Sequence, residues 1–112
     1  MENSNVDYRK IVAEHLSLRD MLDGLCEELA ELIQAVQKFK RTMPGSRNIT
    51  PVTAEQASEM VSEELSDILA YLDLLGWLNI DTSENPKWQR WANRLGGAEE
   101  VADDVVAGDT AE

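Results

Sequence analysis

The chain holds 112 residues, with 22 acidic against 10 basic side chains and a formal charge of -12. That length fits one domain, of a size that often gains further burial by oligomerising, and the charge argues against a general nucleic-acid binder, which needs clustered Lys and Arg for phosphates. The single cysteine, Cys26, excludes an internal disulfide; without a charged-then-apolar leader or a long uncharged run, the expectation is a cytoplasmic protein with no membrane partner.

Abundant Leu, Ala, Glu and Gln, with prolines and glycines mostly at segment edges, predict an all-α fold. Val6, Tyr8, Ile11 and Val12 outline a short amphipathic helix over Val6 to His15. Ser17, three residues before Asp20, is a fitting N-cap with an acidic N3 residue, so a second helix is expected from Leu18 to about Arg41. The stretch Thr42 to Val52, "TMPGSRNITPV", breaks periodicity and reads as a loop. Thr53 to Gln56 forms a capping box, and the apolar residues after it predict a third helix running through Gly76 toward Ile80. Asn85-Pro86 predicts the start of a short fourth helix that stops at Gly96-Gly97. Residues 98–112 carry acids, no bases and mostly small side chains, which predicts a disordered tail outside a 1–97 domain. The expected architecture is a helical bundle built on a long antiparallel hairpin, with short flanking helices packed on it or on a second subunit.

Two segments crowd carboxylates beside leucines: "CEELAEL" at Cys26 to Leu32 and "SEELSD" at Ser62 to Asp67. No basic residue lies between Asp20 and Gln37, or between Asn48 and Pro86. On a helical wheel Leu22, Leu25, Leu29, Leu32, Ile33 and Val36 form one apolar face, with Glu28 about 80° and Glu31 about 140° from its centre. On the third helix Val61, Leu65, Ile68, Leu72 and Leu75 form the main apolar face, while Glu64, Asp67 and Tyr71 make a second stripe. If the helices are antiparallel neighbours, Glu28, Glu31, Glu64 and Asp67 converge on one rim. Like charges there are costly unless a cation offsets them, and hard oxygen donors without His or Cys suit an open Mg²⁺ or Mn²⁺ site. Solvated helix faces also carry glutamates, normally paired with Lys at i,i+4, but those Lys partners are missing here. A di-iron bundle needs Glu-x-x-His pairs, and the sole histidine, His15, reads as a helix-end residue. Cys26 reads as inert packing on the apolar face.

Glu27-Glu28-x-x-Glu31 followed by Glu64-x-x-Asp67 resembles the EExxE…ExxD signature of MazG-type nucleoside triphosphate pyrophosphohydrolases, in the all-α NTP pyrophosphatase superfamily. "EELAELIQAVQKFKR" and "EELSDILAYLDLLGWLNID" look like that family's two core helices, and the resemblance covers roughly Leu18 to Asp81. It implies hydrolysis of a nucleoside triphosphate to the monophosphate and pyrophosphate, with Mg²⁺ held by the residues matching Glu28, Glu31, Glu64 and Asp67. A carboxylate not fully engaged by metal can orient water or take its proton, and Glu31 is the candidate, with Glu27 the alternative.

Lys38, in the stripe of Glu28 and Glu31, is a candidate phosphate contact. Lys40, Arg41 and Arg47 stand near it, where they would either meet the triphosphate or complement the helix dipole. Tyr71 resembles a family tyrosine that lines the nucleotide pocket, and Asn93-Arg94 resembles a family Asn-Arg pair that reaches substrate across a subunit interface. Gln89 departs from the lysine expected beside that pair. Trp77, Trp88 and Trp91 are expected in a core or interface rather than on a base. The partners expected are a nucleoside triphosphate and further copies of the chain, as a homodimer or homotetramer. Within the superfamily the resemblance also allows phosphoribosyl-ATP as substrate; outside it, the rival is a non-catalytic acidic helical module that binds a protein.

Overall fold

The computed structural model describes residues 5–97, which include the α-helices α1 (Tyr8–His15), α2 (Leu18–Lys40), α3 (Ala54–Leu75) and α4 (Lys87–Arg94). The protein is all-helical, with no strand among the described residues. The acidic segment expected to be disordered, 98–112, lies outside them. Among the described residues the backbone divides into two compact units, the second beginning at Ile80.

In the first unit the helices start where side chains replace missing backbone partners. Asp7 accepts the Lys10 N–H at 3.0 Å, so α1 begins at Tyr8 rather than at Val6. His15 closes it, Nδ1 donating to the Ile11 carbonyl at 2.7 Å, as a helix-end residue should. Ser17 and Asp20 form a reciprocal box at the start of α2: Asp20 N–H donates to Ser17 Oγ at 3.0 Å, and Ser17 N–H to Asp20 Oδ2 at 2.9 Å. Those bonds hold Asp20 below the ordinary carboxylate range. Thr53 and Gln56 make the same exchange at the start of α3, and each such cap is worth about 1 kcal/mol. The expected run of α3 toward Ile80 is corrected: the helix ends at Leu75. Gly76 turns left-handed at φ 75°, and the Trp77 N–H takes the Leu72 carbonyl at 2.8 Å, a terminus that glycine permits without steric cost.

α2 packs along α3, with Leu25, Ala35, Ala57 and Ile68 as the buried residues. The expected apolar face of α2 is corrected too. Leu25 is buried, but Leu22, Leu29, Ile33 and Val36 are exposed, as is Leu65 on α3. The helix contact instead runs through Gly24, Glu28 and Ala35, whose positions form a different stripe of the wheel; Gly24 leaves space for the Tyr71 ring of α3, and Ala35 is buried. Cys26, expected in packing, is exposed. Arg9 ties α1 to α3: Nε donates to Asp73 Oδ2 at 2.6 Å and Nη2 to the Asp73 carbonyl at 3.2 Å.

The second unit contains α4. The expected start is corrected by one residue: α4 begins at Lys87 with Pro86 at the cap position rather than the first helical one, and Asn85 Oδ1 accepts the Lys87 N–H at 2.9 Å from just before it. Trp88 Nε1 donates to the Thr82 carbonyl at 2.6 Å, and its ring meets Trp91 edge to face, centroids 5.8 Å apart. Lys87 Nζ lies 5.5 Å from the Trp91 centroid. The helix stops at the glycines: Gly96 adopts φ 78° and the Gly97 N–H donates to the Ala92 carbonyl at 3.1 Å. Trp77, Trp88 and Trp91 are all exposed in the described chain rather than in a core.

Candidate functional site

Glu64 and Asp67 stand one turn apart on α3, so their side chains leave the helix on the same side. Glu28 meets them from α2. One carboxylate oxygen from each of the three lies within 4.8 Å of the other two. Glu28 and Glu64 are half-buried and Asp67 is exposed. Oε1 of Glu28 and Oε1 of Glu64 are cut off from solvent and have no hydrogen-bond partner. Among the described residues the ion pairs are Arg9–Asp73 and Arg19–Asp23, and neither touches this cluster.

The electrostatic consequence is large. Burial pushes the Glu64 carboxyl up to about 7, helped by the adjoining Glu28 carboxyl and the negative field of Glu31. Glu28 is raised as well, first by burial and then by Glu31, with Asp67 and Glu27 adding to it and the Glu64 contact opposing it. A carboxylate cluster in this state holds a proton near neutrality, or exchanges it for a cation.

The cluster fits a hard divalent ion. Octahedral Mg²⁺ with bonds of about 2.1 Å sets adjacent ligand oxygens about 3.0 Å apart and opposite ones about 4.2 Å, so oxygens gathered within 4.8 Å of one another would draw closer around such an ion. The two orphaned Oε1 atoms are oxygen donors of the kind such an ion takes. No histidine or thiolate stands in the cluster, which suits Mg²⁺ or Mn²⁺ over softer metals.

A cleft of about 300 Å³ opens beside the acids. Glu28 and Asp67 form its polar edge; Val12 of α1 and Leu16 just after it, with Tyr71 and Leu74 of α3, form its apolar side. Tyr71 lies against Gly24, where a Cβ would run into the phenol ring and hydroxyl. The mid-helix glycine, which costs about 1 kcal/mol relative to alanine, makes room for that ring.

Other sequence candidates fall at different distances from this centre. Glu31 is exposed but near enough to Glu64 to raise its pKa, so it borders the cluster without joining the tight trio. Glu27 is exposed, and acts on Glu28 through its charge. Lys38 is exposed in the last turn of α2, ten positions past Glu28 and so about 15 Å along the axis. Arg94 belongs to the second unit, where with Trp91 and Leu95 it lines a separate hollow.

Sequence reasoning missed the α1 wall of the cleft and the Arg9–Asp73 clamp. The one available signal was Gly24, an isolated glycine inside a strongly helical run, which marks a close approach. Comparison with protein-family models, curated proteins and solved structures gives no match.

Proposed function

We propose that this chain is a Mg²⁺-dependent, MazG-like nucleoside triphosphate pyrophosphohydrolase of the cytoplasm, serving nucleotide-pool sanitation or control. The observation that carries the reading is the gathering of Glu28, Glu64 and Asp67 within 4.8 Å, at the edge of a cleft with an aromatic wall. When bound, Mg²⁺ or Mn²⁺ would neutralise polyphosphate charge and acidify nearby water. Glu28, Glu64 and Asp67 would hold the ion in this scheme. Glu31, at the rim, completes the ligand set or takes the proton of the attacking water, with Glu27 the alternative base. Tyr71, Val12 and Leu16 pack on the nucleoside and Lys38 takes phosphate oxygens; Arg94 would reach substrate from a second copy of the chain, as the resemblance implies.

The same reading makes α2 and α3 an antiparallel hairpin that a second copy completes into a bundle, as a homodimer or homotetramer. Its support is the outward apolar stripe of Leu18, Leu22, Leu29, Ile33 and Val36, which a single copy leaves exposed. Among the described residues no helix is long and apolar enough to cross a membrane.

Pyrophosphate release from a panel of canonical, deoxy and modified nucleoside triphosphates, with and without Mg²⁺, tests the proposal. Turnover that needs Mg²⁺ and disappears in Glu64→Gln supports it; no turnover with any member contradicts it. Phosphoribosyl-ATP belongs in the panel as the rival substrate. A second reading, a non-catalytic acidic module that binds a protein, draws on the same exposed stripe and on the lack of any basic residue in the acidic trio or its cleft. It requires that Glu64→Gln and Asp67→Asn leave function untouched.

A further inference from the structure

The charge of this protein is unevenly distributed. Between Glu31 and Glu55 there is no acidic residue, yet Lys38, Lys40, Arg41 and Arg47 stand there, four of the chain's ten cations. Cations in the last turn of a helix ordinarily offset its unpaired carbonyls. At the end of α2 that work is already done by the loop. The Phe39 carbonyl accepts from Thr42 N–H at 3.0 Å and Thr42 Oγ1 at 2.7 Å; the Lys40 carbonyl accepts from Met43 N–H at 3.2 Å and Ser46 Oγ at 3.3 Å. Arg41 and Arg47 have no ion-pair or hydrogen-bond partner for their guanidinium groups among the described residues.

The two arginines line one cleft of about 320 Å³, together with Asn48 and Thr50. Asn48 Oδ1 accepts the Thr50 N–H at 3.2 Å, which fixes the side-chain amide and leaves its NH₂ as a donor. The cleft is thus lined by two arginines, Asn48, Ile49 and Thr50, with no carboxylate among its lining residues. Arg41 follows Glu28 by thirteen positions, about 20 Å along the helix axis, so this cleft is separate from the acidic centre.

We infer that the α2–α3 loop is a second site, in which Arg41 and Arg47 together bind a small phosphate-bearing anion. Guanidinium groups bind phosphate oxygens in a bidentate manner, and two of them converging on one cleft select a compact dianion or polyanion over chloride. The site stands whether or not the acidic centre is catalytic.

The test is a titration of the full-length chain with pyrophosphate in EDTA, followed by amide and arginine side-chain NMR signals. Saturable shifts of Arg41, Arg47 and Asn48 are expected, with a dissociation constant on the order of 1 mM for an exposed two-arginine site. The double variant Arg41→Gln/Arg47→Gln should weaken binding at least about tenfold, the factor that ~1.4 kcal/mol of lost contacts gives. Arg19→Gln and Glu64→Gln should leave it unchanged. An arm with a nucleoside monophosphate separates the sources: tighter binding than pyrophosphate assigns the site to nucleotide phosphate, weaker binding to the free anion, and both support it. Absence of saturable shifts overturns the inference. Equal weakening in Arg19→Gln does the same, because it would reduce the effect to overall charge. Neither arginine has a structural partner, so the double variant should keep the fold, which circular dichroism verifies.

Discussion

On α2, Glu28 faces α3 and is half-buried, while Leu29, the next residue, is 43 % exposed, and Ile33, one turn further, 63 % exposed. The two sides of one helix thus reverse the usual partition of polar and apolar groups. On the inner side, carboxylates meet carboxylates with no base to balance them. On the outer side, leucines that would each contribute about 2 kcal/mol on full burial remain in water. In the proposed function the inner side takes a cation and the outer side an apolar partner, two roles that are physically separate. A perturbation of one should leave the other's readout intact.

The largest effect should come from the inner side. Glu64→Gln or Asp67→Asn removes a ligand from a centre worth several kcal/mol to a charged transition state, roughly three orders of magnitude in kcat/KM at about 1.4 kcal/mol per tenfold. Steady-state pyrophosphate release measures it, and sedimentation of the same variants should show the assembly state of the parent chain, whatever its order, unchanged. The outer side is probed by Ile33→Asp. In an isolated chain this exposed position should tolerate the change within about 0.5 kcal/mol. In an assembly sealed by that stripe it buries a charge and should raise the dissociation constant about a hundredfold, detectable by light scattering across a dilution series.

A smaller effect concerns pH. The Glu64 carboxyl is raised from 4.5 to about 7 in the folded chain, so the folded state holds that proton more tightly than the unfolded one. Its contribution to stability is complete below the unfolded value and fades as pH rises through about 7. Glu28 is shifted in the same direction and reinforces it. The metal-free melting temperature should therefore fall over that window, while the increment gained from Mg²⁺ should grow, because ion and proton compete for the same oxygens. Asp20 and Asp81, both lowered by hydrogen bonds from Ser17 and Ser83, act oppositely: their contribution is lost at more acidic pH, as they protonate. The smallest effect expected is that of Thr53→Ala, about 1 kcal/mol from the α3 cap with turnover per folded molecule unchanged, read by chemical denaturation.

Much of this contrast is legible in the sequence. Ser17 with Asp20, and Thr53 with Gln56, mark helix starts because a short polar side chain followed by an acid or amide three residues later has one favourable use. The i,i+3 spacing of Glu64 and Asp67 requires a common direction on any helix. Which face of α2 meets α3 was not legible. The hydropathy wheel favours the leucine stripe, but the Tyr71 ring seated against Gly24 and the burial of Ala35 mark the contact face, and a single chain's pattern does not distinguish a face meant for its own core from one meant for another copy. The end of α3 shows the same limit: Gly76 lies within an apolar run, and only its left-handed backbone reveals that the helix has stopped. The Arg9–Asp73 clamp joins residues 64 positions apart and leaves no local trace.

The most direct test of the account is calorimetric titration of Mg²⁺ into the metal-free chain at neutral pH, in two buffers of different ionisation heat. The account predicts saturable binding with net proton release, abolished together in the Glu64→Gln/Asp67→Asn variant. Binding that persists unchanged in that variant, or no saturable binding in the parent chain, would contradict it.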